Sequence, residues 1–91
     1  MVEGKTSQGF KYSVDPEAVS DMEFIEDMAA IMNGETQAYP GALKKLLGEA
    51  GKKALYDFVR NDKGRVPIEA VGDIVSEIFD AIGEANATKN S

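Results

Sequence analysis

The sequence predicts an all-α fold, a small bundle of about four helices preceded by a short extended N-terminal arm. Three observations support this prediction. Apolar residues recur three and four positions apart in several segments, which is the period of amphipathic helices. Proline and glycine stand at the ends of these segments, where helices begin and end. Only one short segment near the N-terminus alternates between apolar and polar residues as a strand does.

The alternating segment is the expected extended arm. In it Phe10, Tyr12 and Val14 are separated by polar residues, which is the period of a half-buried strand. Since no second strand pattern follows, we expect the segment to lie over the helices. The alternative is that it pairs with another copy of the chain or with a partner.

The first helix is expected to begin at one of two caps. Asp15 precedes Pro16, which suits a first helical position, and Ser20 with Glu23 three residues later forms a capping box. The helix is expected to end at Asn33-Gly34. Its predicted buried stripe consists of Phe24, Ile25, Met28, Ala29 and Met32.

Three further helices are predicted in the rest of the chain. Pro40 opens the second, which Gly48 ends, and the third runs from about residue 49 to 60. The last helix opens at Pro67, ends near Gly83 and has the strongest apolar pattern. Its predicted buried side consists of Ile68, Val71, Ile74, Val75, Ile78, Phe79 and Ile82.

The 91 residues suffice for one domain and not for two. We expect a flexible N-terminus over residues 1–8, a single helical domain over residues 9–85 and a disordered tail over residues 86–91, which contain no large apolar side chain.

Composition points away from catalysis and from membranes. Histidine and cysteine are both absent, so the commonest general base and the commonest zinc ligands are missing. We therefore expect a protein that is not an enzyme and that needs no cofactor or metal. No apolar run approaches the roughly 20 residues that span a bilayer, and the polar N-terminus is unlike a signal peptide. The expected location is the cytoplasm.

Charge is distributed in blocks along the chain. The net charge of -6 disfavours nucleic acid as a partner, because phosphates need a surplus of lysine and arginine. Every charge from Asp15 to Glu35 is negative, the middle of the chain is basic, and residues 69–84 are again acidic. These blocks either neutralise one another in the fold or face partners.

The last helix carries a continuous acidic face, and we expect a partner to bind there. Like charges at helical spacing repel one another, so the stripe is tolerated for solubility or used against a basic partner. A solvated face is the commoner explanation for such a stripe. The hypothetical partner-binding residues are those of this face and of the arm: Glu69, Asp73, Glu77, Asp80, Glu84, Phe10, Tyr12 and Val14.

Several segments together resemble the tail assembly chaperones of long-tailed bacteriophages and prophages. They are residues 9–15 (GFKYSVD), 21–26 (DMEFIE), 46–49 (LLGE) and 64–67 (GRVP), the last of which opens a helix that ends near Ile82-Gly83. Their order and spacing carry the resemblance, which runs along most of the chain.

The resemblance implies a helical cytoplasmic protein of the bacterial host that binds the tape measure protein. It would assist polymerisation of the tail tube protein around that client, and it is not expected in the mature virion. Family members are often made in a short and a longer form by ribosomal frameshifting, and a homo-oligomer is an option. The alternative function is a small acidic regulatory adaptor or an antitoxin-like binding module.

Overall fold

The computed structural model describes residues 2–90 and the side chains of residues 2–83. Short 3-10 turns over Pro16–Ser20 and Thr36–Ala38 precede the first and second helices. The main elements follow in the order β1 (Val2–Lys5), β2 (Lys11–Val14), α1 (Met22–Met32), α2 (Tyr39–Val59) and α3 (Ile68–Asn90).

The predicted all-α bundle of about four helices is wrong in two respects. Over residues 2–90 the chain forms three helices, and a two-stranded antiparallel sheet accompanies them. The sheet was missed because β1 contains a single apolar residue, Val2, and has no alternating pattern. β1 is a strand because its backbone pairs with that of β2, and its side-chain pattern gives no sign of this pairing.

The expected extended arm is therefore one strand of a β-hairpin. Val2 lies opposite Val14, and Lys5 lies opposite Lys11. In the turn, the backbone N–H of Gly9 donates to the carbonyl oxygen of Thr6 over 2.9 Å. Gly9 has a φ of 101°, a conformation that glycine adopts without strain.

A bend divides α2 into two parts. The second and third predicted helices are joined in the single element α2, which bends at Gly48, where φ 78° and ψ 170° are not helical angles. Before the bend, Lys45 forms an ion pair of 2.7 Å with Asp27 of α1. After the bend, Phe58 packs on Phe10 beside the hairpin, with ring centroids 5.4 Å apart.

The caps of α1 differ in part from the prediction. Asp15 caps the 3-10 turn, accepting a hydrogen bond from the backbone N–H of Glu17 over 2.9 Å. The N-cap of α1 is Asp21, which accepts from the N–H of Glu23 over 3.1 Å. The capping box expected at Ser20 is therefore wrong, because the 3-10 turn moves the start of α1 one residue further on.

One core joins the hairpin to all three helices. The buried side of α3 is largely as predicted, although Ile68 is 47% exposed and Phe79 is only partly buried. The core residues are Phe10, Val14, Phe24, Ala42, Leu43, Leu46, Leu55, Val71, Ile74, Val75, Ile78 and Ile82.

The predicted domain boundaries after residues 8 and 85 stay predictions. β1 lies on the N-terminal side of the first boundary. α3 continues past Gly83 to Asn90, so the predicted end of the last helix near Gly83 is wrong. The predicted tail, residues 86–91, lies outside the residues whose side chains are described. Over the described residues, no helix is both long enough and apolar enough to cross a lipid bilayer.

Candidate partner-binding surface

The acidic face of α3 is only partly open to solvent. Glu69, Asp73 and Asp80 are exposed, whereas Glu77 is half-buried. The side chain of Glu84 lies outside the described residues. Three of the five predicted acidic residues are therefore accessible to a partner in this conformation.

Glu77 binds the turn of the β-hairpin. Its carboxylate accepts a hydrogen bond from the Ser7 hydroxyl over 2.7 Å and another from the Ser7 backbone N–H over 2.9 Å. These bonds, the hydroxyl one foremost, favour the charged carboxylate and hold the pKa of Glu77 below its ordinary value. These two hydrogen bonds link the hairpin turn to α3.

The predicted arm residues lie mostly in the core. Val14 is fully buried, Phe10 is 5% exposed, and Tyr12 is half-buried. A partner could contact Phe10 and Val14 only if the hairpin moved away from the helices. Their predicted role in partner binding stays a prediction.

The apolar stripe of α1 is divided between the core and the solvent. On its inner edge, Phe24 is buried, and Met28 packs against the core. On its outer edge, Ile25 is 46% exposed and Met32 is 84% exposed, and Ala29 between them is also exposed. Because these three residues are spaced four and three apart, they lie on one side of the helix.

The outer edge of α1 and the C-terminal half of α3 form an open apolar groove of about 470 Å³. The two helices meet at its floor, where the rings of Phe24 and Phe79 have centroids 5.8 Å apart. We call this the α1–α3 groove. Its lining includes Ile25, Met28, Ala29 and Met32 from α1 and Phe79 and Ile82 from α3.

The charged residues on the two helices that form the α1–α3 groove are acidic. Glu26 follows Ile25 by one residue, a turn of about 100°, and stands beside the α1 edge of the groove. Asp80 turns away from Phe79 by the same angle and lines a separate pocket beside the hairpin, with Lys5 and Tyr12. Both carboxylates belong to exposed residues. Over residues 2–83, every charged side chain of α1 and α3 is acidic. The groove is thus apolar inside, with Glu26 beside its α1 edge and only acidic charges on the described parts of the helices that form it.

Four of the seven basic residues in the middle of the chain form ion pairs. Lys53 and Arg60 both contact Asp57, over 3.3 and 3.4 Å, and the hydrogen bond from Lys53 is the main reason that the pKa of Asp57 is lowered. Lys44 pairs with Glu49 over 3.2 Å. Lys45 makes the one ion pair between helices over residues 2–83. Apart from Lys45, each paired basic residue has an acidic partner within five residues of it in the sequence.

The predicted site residues omitted the groove. Ile25, Ala29 and Met32 were assigned to the core because helical spacing does not separate buried from exposed apolar residues. The width of the stripe was the available signal, since its residues span about 140°, or two-fifths of the circumference, of an eleven-residue helix. Over the described residues, no group of three acidic side chains is placed to hold a metal ion.

In comparisons with known proteins, no family model, no curated protein and no solved structure matches the chain.

Proposed function

We propose that the chain is a non-enzymatic chaperone that acts in the assembly of a long bacteriophage tail. It binds the tape measure protein in the cytoplasm of the bacterial host and assists polymerisation of the tail tube protein around it. It is not part of the mature virion. Its resemblance to tail assembly chaperones over residues 9–15, 21–26, 46–49 and 64–67 supplies the identity of the client.

The observation that carries the proposal is the apolar edge of α1 exposed beside acidic surface. A long, aggregation-prone client needs adaptable apolar contacts, and methionine adapts well because its side chain is flexible and polarizable. Met32 is 84% exposed and Met22 is 65% exposed on this helix. The net charge of -6 opposes aggregation of the complex.

Co-expression with the client tests the proposal. The tape measure protein encoded next to this chain is produced with it and without it, and its soluble fraction is measured. We expect the client to remain soluble only when the chain is present and to co-purify with it. A client that is equally insoluble in both cases, with no co-purification, would contradict the proposal.

Gene order provides an inexpensive second test. A tail tube gene upstream and a very long gene downstream are expected. A neighbouring toxin or regulator that co-purifies with the chain would instead support the regulatory adaptor or antitoxin-like module.

A further inference from the structure

We infer that the α1–α3 groove binds an amphipathic helix whose polar face is rich in lysine and arginine. The inference deepens the proposed function and rests on it for one premise, that the partner is a protein. It specifies the surface on this chain and the chemistry of the segment that the surface receives.

The shape of the groove fits a helix. Ile25, Ala29 and Met32 form a ridge along the outer edge of α1, and Phe79 with Ile82 forms the facing wall on α3. Ridges at these spacings pack into the grooves of another helix. A partner helix would place apolar residues three and four positions apart into the groove, as in other helix-in-groove complexes.

Exposure indicates that the groove is incomplete in the single chain. Ile25 is 46% exposed and Met32 is 84% exposed, although both line the groove together with the buried residues Phe24 and Ile82. A third helix seated in the groove would remove these side chains from water, and each Å² of apolar surface buried is worth about 25 cal/mol.

Charge selects the partner. Glu26 stands beside the α1 edge of the groove, and over residues 2–83 every charged side chain of α1 and α3 is acidic. Lysine and arginine on a partner helix would be attracted to this acidic surface, whereas acidic side chains would be repelled. A second copy docked through the same groove would bring these acidic helices together, since a two-fold interface places the same patch on both sides. The charge therefore favours a basic helix over self-association through this groove.

Two synthetic peptides of about 20 residues test the inference, with the same leucine stripe and with either lysine or glutamate on the opposite face. Binding to the full chain is measured by fluorescence anisotropy. We expect the lysine peptide to bind at least about tenfold more tightly than the glutamate peptide, because only the former complements the acidic charge of α1 and α3.

Matched variants locate the site. Ile25→Lys should weaken binding of the lysine peptide by about tenfold, because it places a charge in the apolar groove and repels the peptide. Met32→Lys, at a more exposed position, should do the same and is safer for folding. Ile68→Lys is the control, since Ile68 is 47% exposed, lies outside the groove and undergoes the same change of charge. It should change the affinity by less than about twofold.

Four outcomes would overturn the inference. They are binding of neither peptide, equal binding of both, equal losses in the Ile25 and Ile68 variants, and a wild-type dimer that Ile25→Lys dissociates. The proposed function fails separately, if the wild-type chain does not retain the tape measure protein although the lysine peptide binds. If Ile25→Lys and Met32→Lys retain the tape measure protein as the wild type does, the function stands and the assigned groove is wrong.

Discussion

The two flanks of α3 are covered in different ways. On one flank, Glu77 holds the hairpin turn through two hydrogen bonds from Ser7. On the other, α1 meets α3 at the Phe24–Phe79 pair, and beyond this contact the groove stays open. Because Glu77 and Phe79 are two residues apart, they point in nearly opposite directions.

The difference separates apolar residues that stabilise the fold from those available for binding. The hairpin contributes Phe10 and Val14 to the core, so its apolar side chains contribute to folding. The outer edge of α1 contributes little to the core and leaves Ile25 and Met32 in water. Four stability measurements test this difference between the two flanks.

The largest expected effect comes from removing a large side chain on the hairpin flank. Phe10→Ala should lower the free energy of unfolding by about 3–5 kcal/mol, because it leaves a cavity in the core. Ile25→Ala on the groove flank should change it by no more than about 0.5 kcal/mol, since that side chain is half exposed. Urea denaturation of both variants measures the difference, and equal losses would show that the groove edge is also part of the core.

The bend in α2 connects the two flanks, because one part of this helix contacts α1 and the other carries Phe58 beside the hairpin. Gly48→Ala should cost about 1–3 kcal/mol of unfolding free energy, since φ 78° and ψ 170° strain any residue with a Cβ. No atom lies within 4 Å of a Cβ built there, so the cost comes from the backbone.

Gly83→Ala is the matched control for the bend, because a Cβ built at this helical glycine also meets no atom within 4 Å. It should stabilise the fold by about 0.4–1 kcal/mol. If the two substitutions have the same sign, Gly48 does not impose the bend.

Acid should weaken the hairpin flank selectively. The pKa of Glu77 is lowered in the folded chain, so its contribution is present above the ordinary value of 4.5 and is lost as pH falls through the folded value. The melting temperature of Glu77→Gln should therefore be lower than that of the wild type near neutral pH, and the gap should close in acid. A gap that stays the same in acid would assign the loss to packing and not to the charge of Glu77.

Alkali should weaken the contact between α1 and α2. The hydrogen bond to Asp27 raises the pKa of Lys45, so its contribution is present below the ordinary value of 10.5 and is lost as pH rises through the folded value. Lys45→Gln should melt below the wild type near neutral pH, and the gap should narrow in alkali. This is the smallest expected effect, because exposed ion pairs contribute little and salt screens them. A gap that is constant with pH would assign the loss to packing of the lysine stem.

The candidate site was predicted less well than the helices that form it. The apolar pattern of α1 identified its residues, but it assigned Ile25 and Met32 to the same stripe as Phe24. Which side of a wide stripe is buried depends on where α2 and α3 pack, and the sequence of α1 does not specify their positions. The acidic residues of α3 stand at helical spacing in the sequence, yet Glu77 among them accepts hydrogen bonds from Ser7, 70 residues away, which the spacing does not predict.

The sequence by itself determined the features that depend on local chemistry. Apolar periodicity placed α1 and α3, and the alternation of Phe10, Tyr12 and Val14 identified β2. Proline marked the starts of α2 and α3, and glycine marked the bend in α2 and the end of α1, although Gly83 does not end α3. These signals are readable because a helix or strand repeats its geometry along the chain. Tertiary structure decided the rest. It determined the pairing of β1 with β2, which residues of the α1 stripe are buried and which are exposed, and the hydrogen bonds from Ser7 to Glu77. Each of these joins groups far apart in sequence or on different elements, so its energy depends on the packing of the whole chain and not on any local pattern.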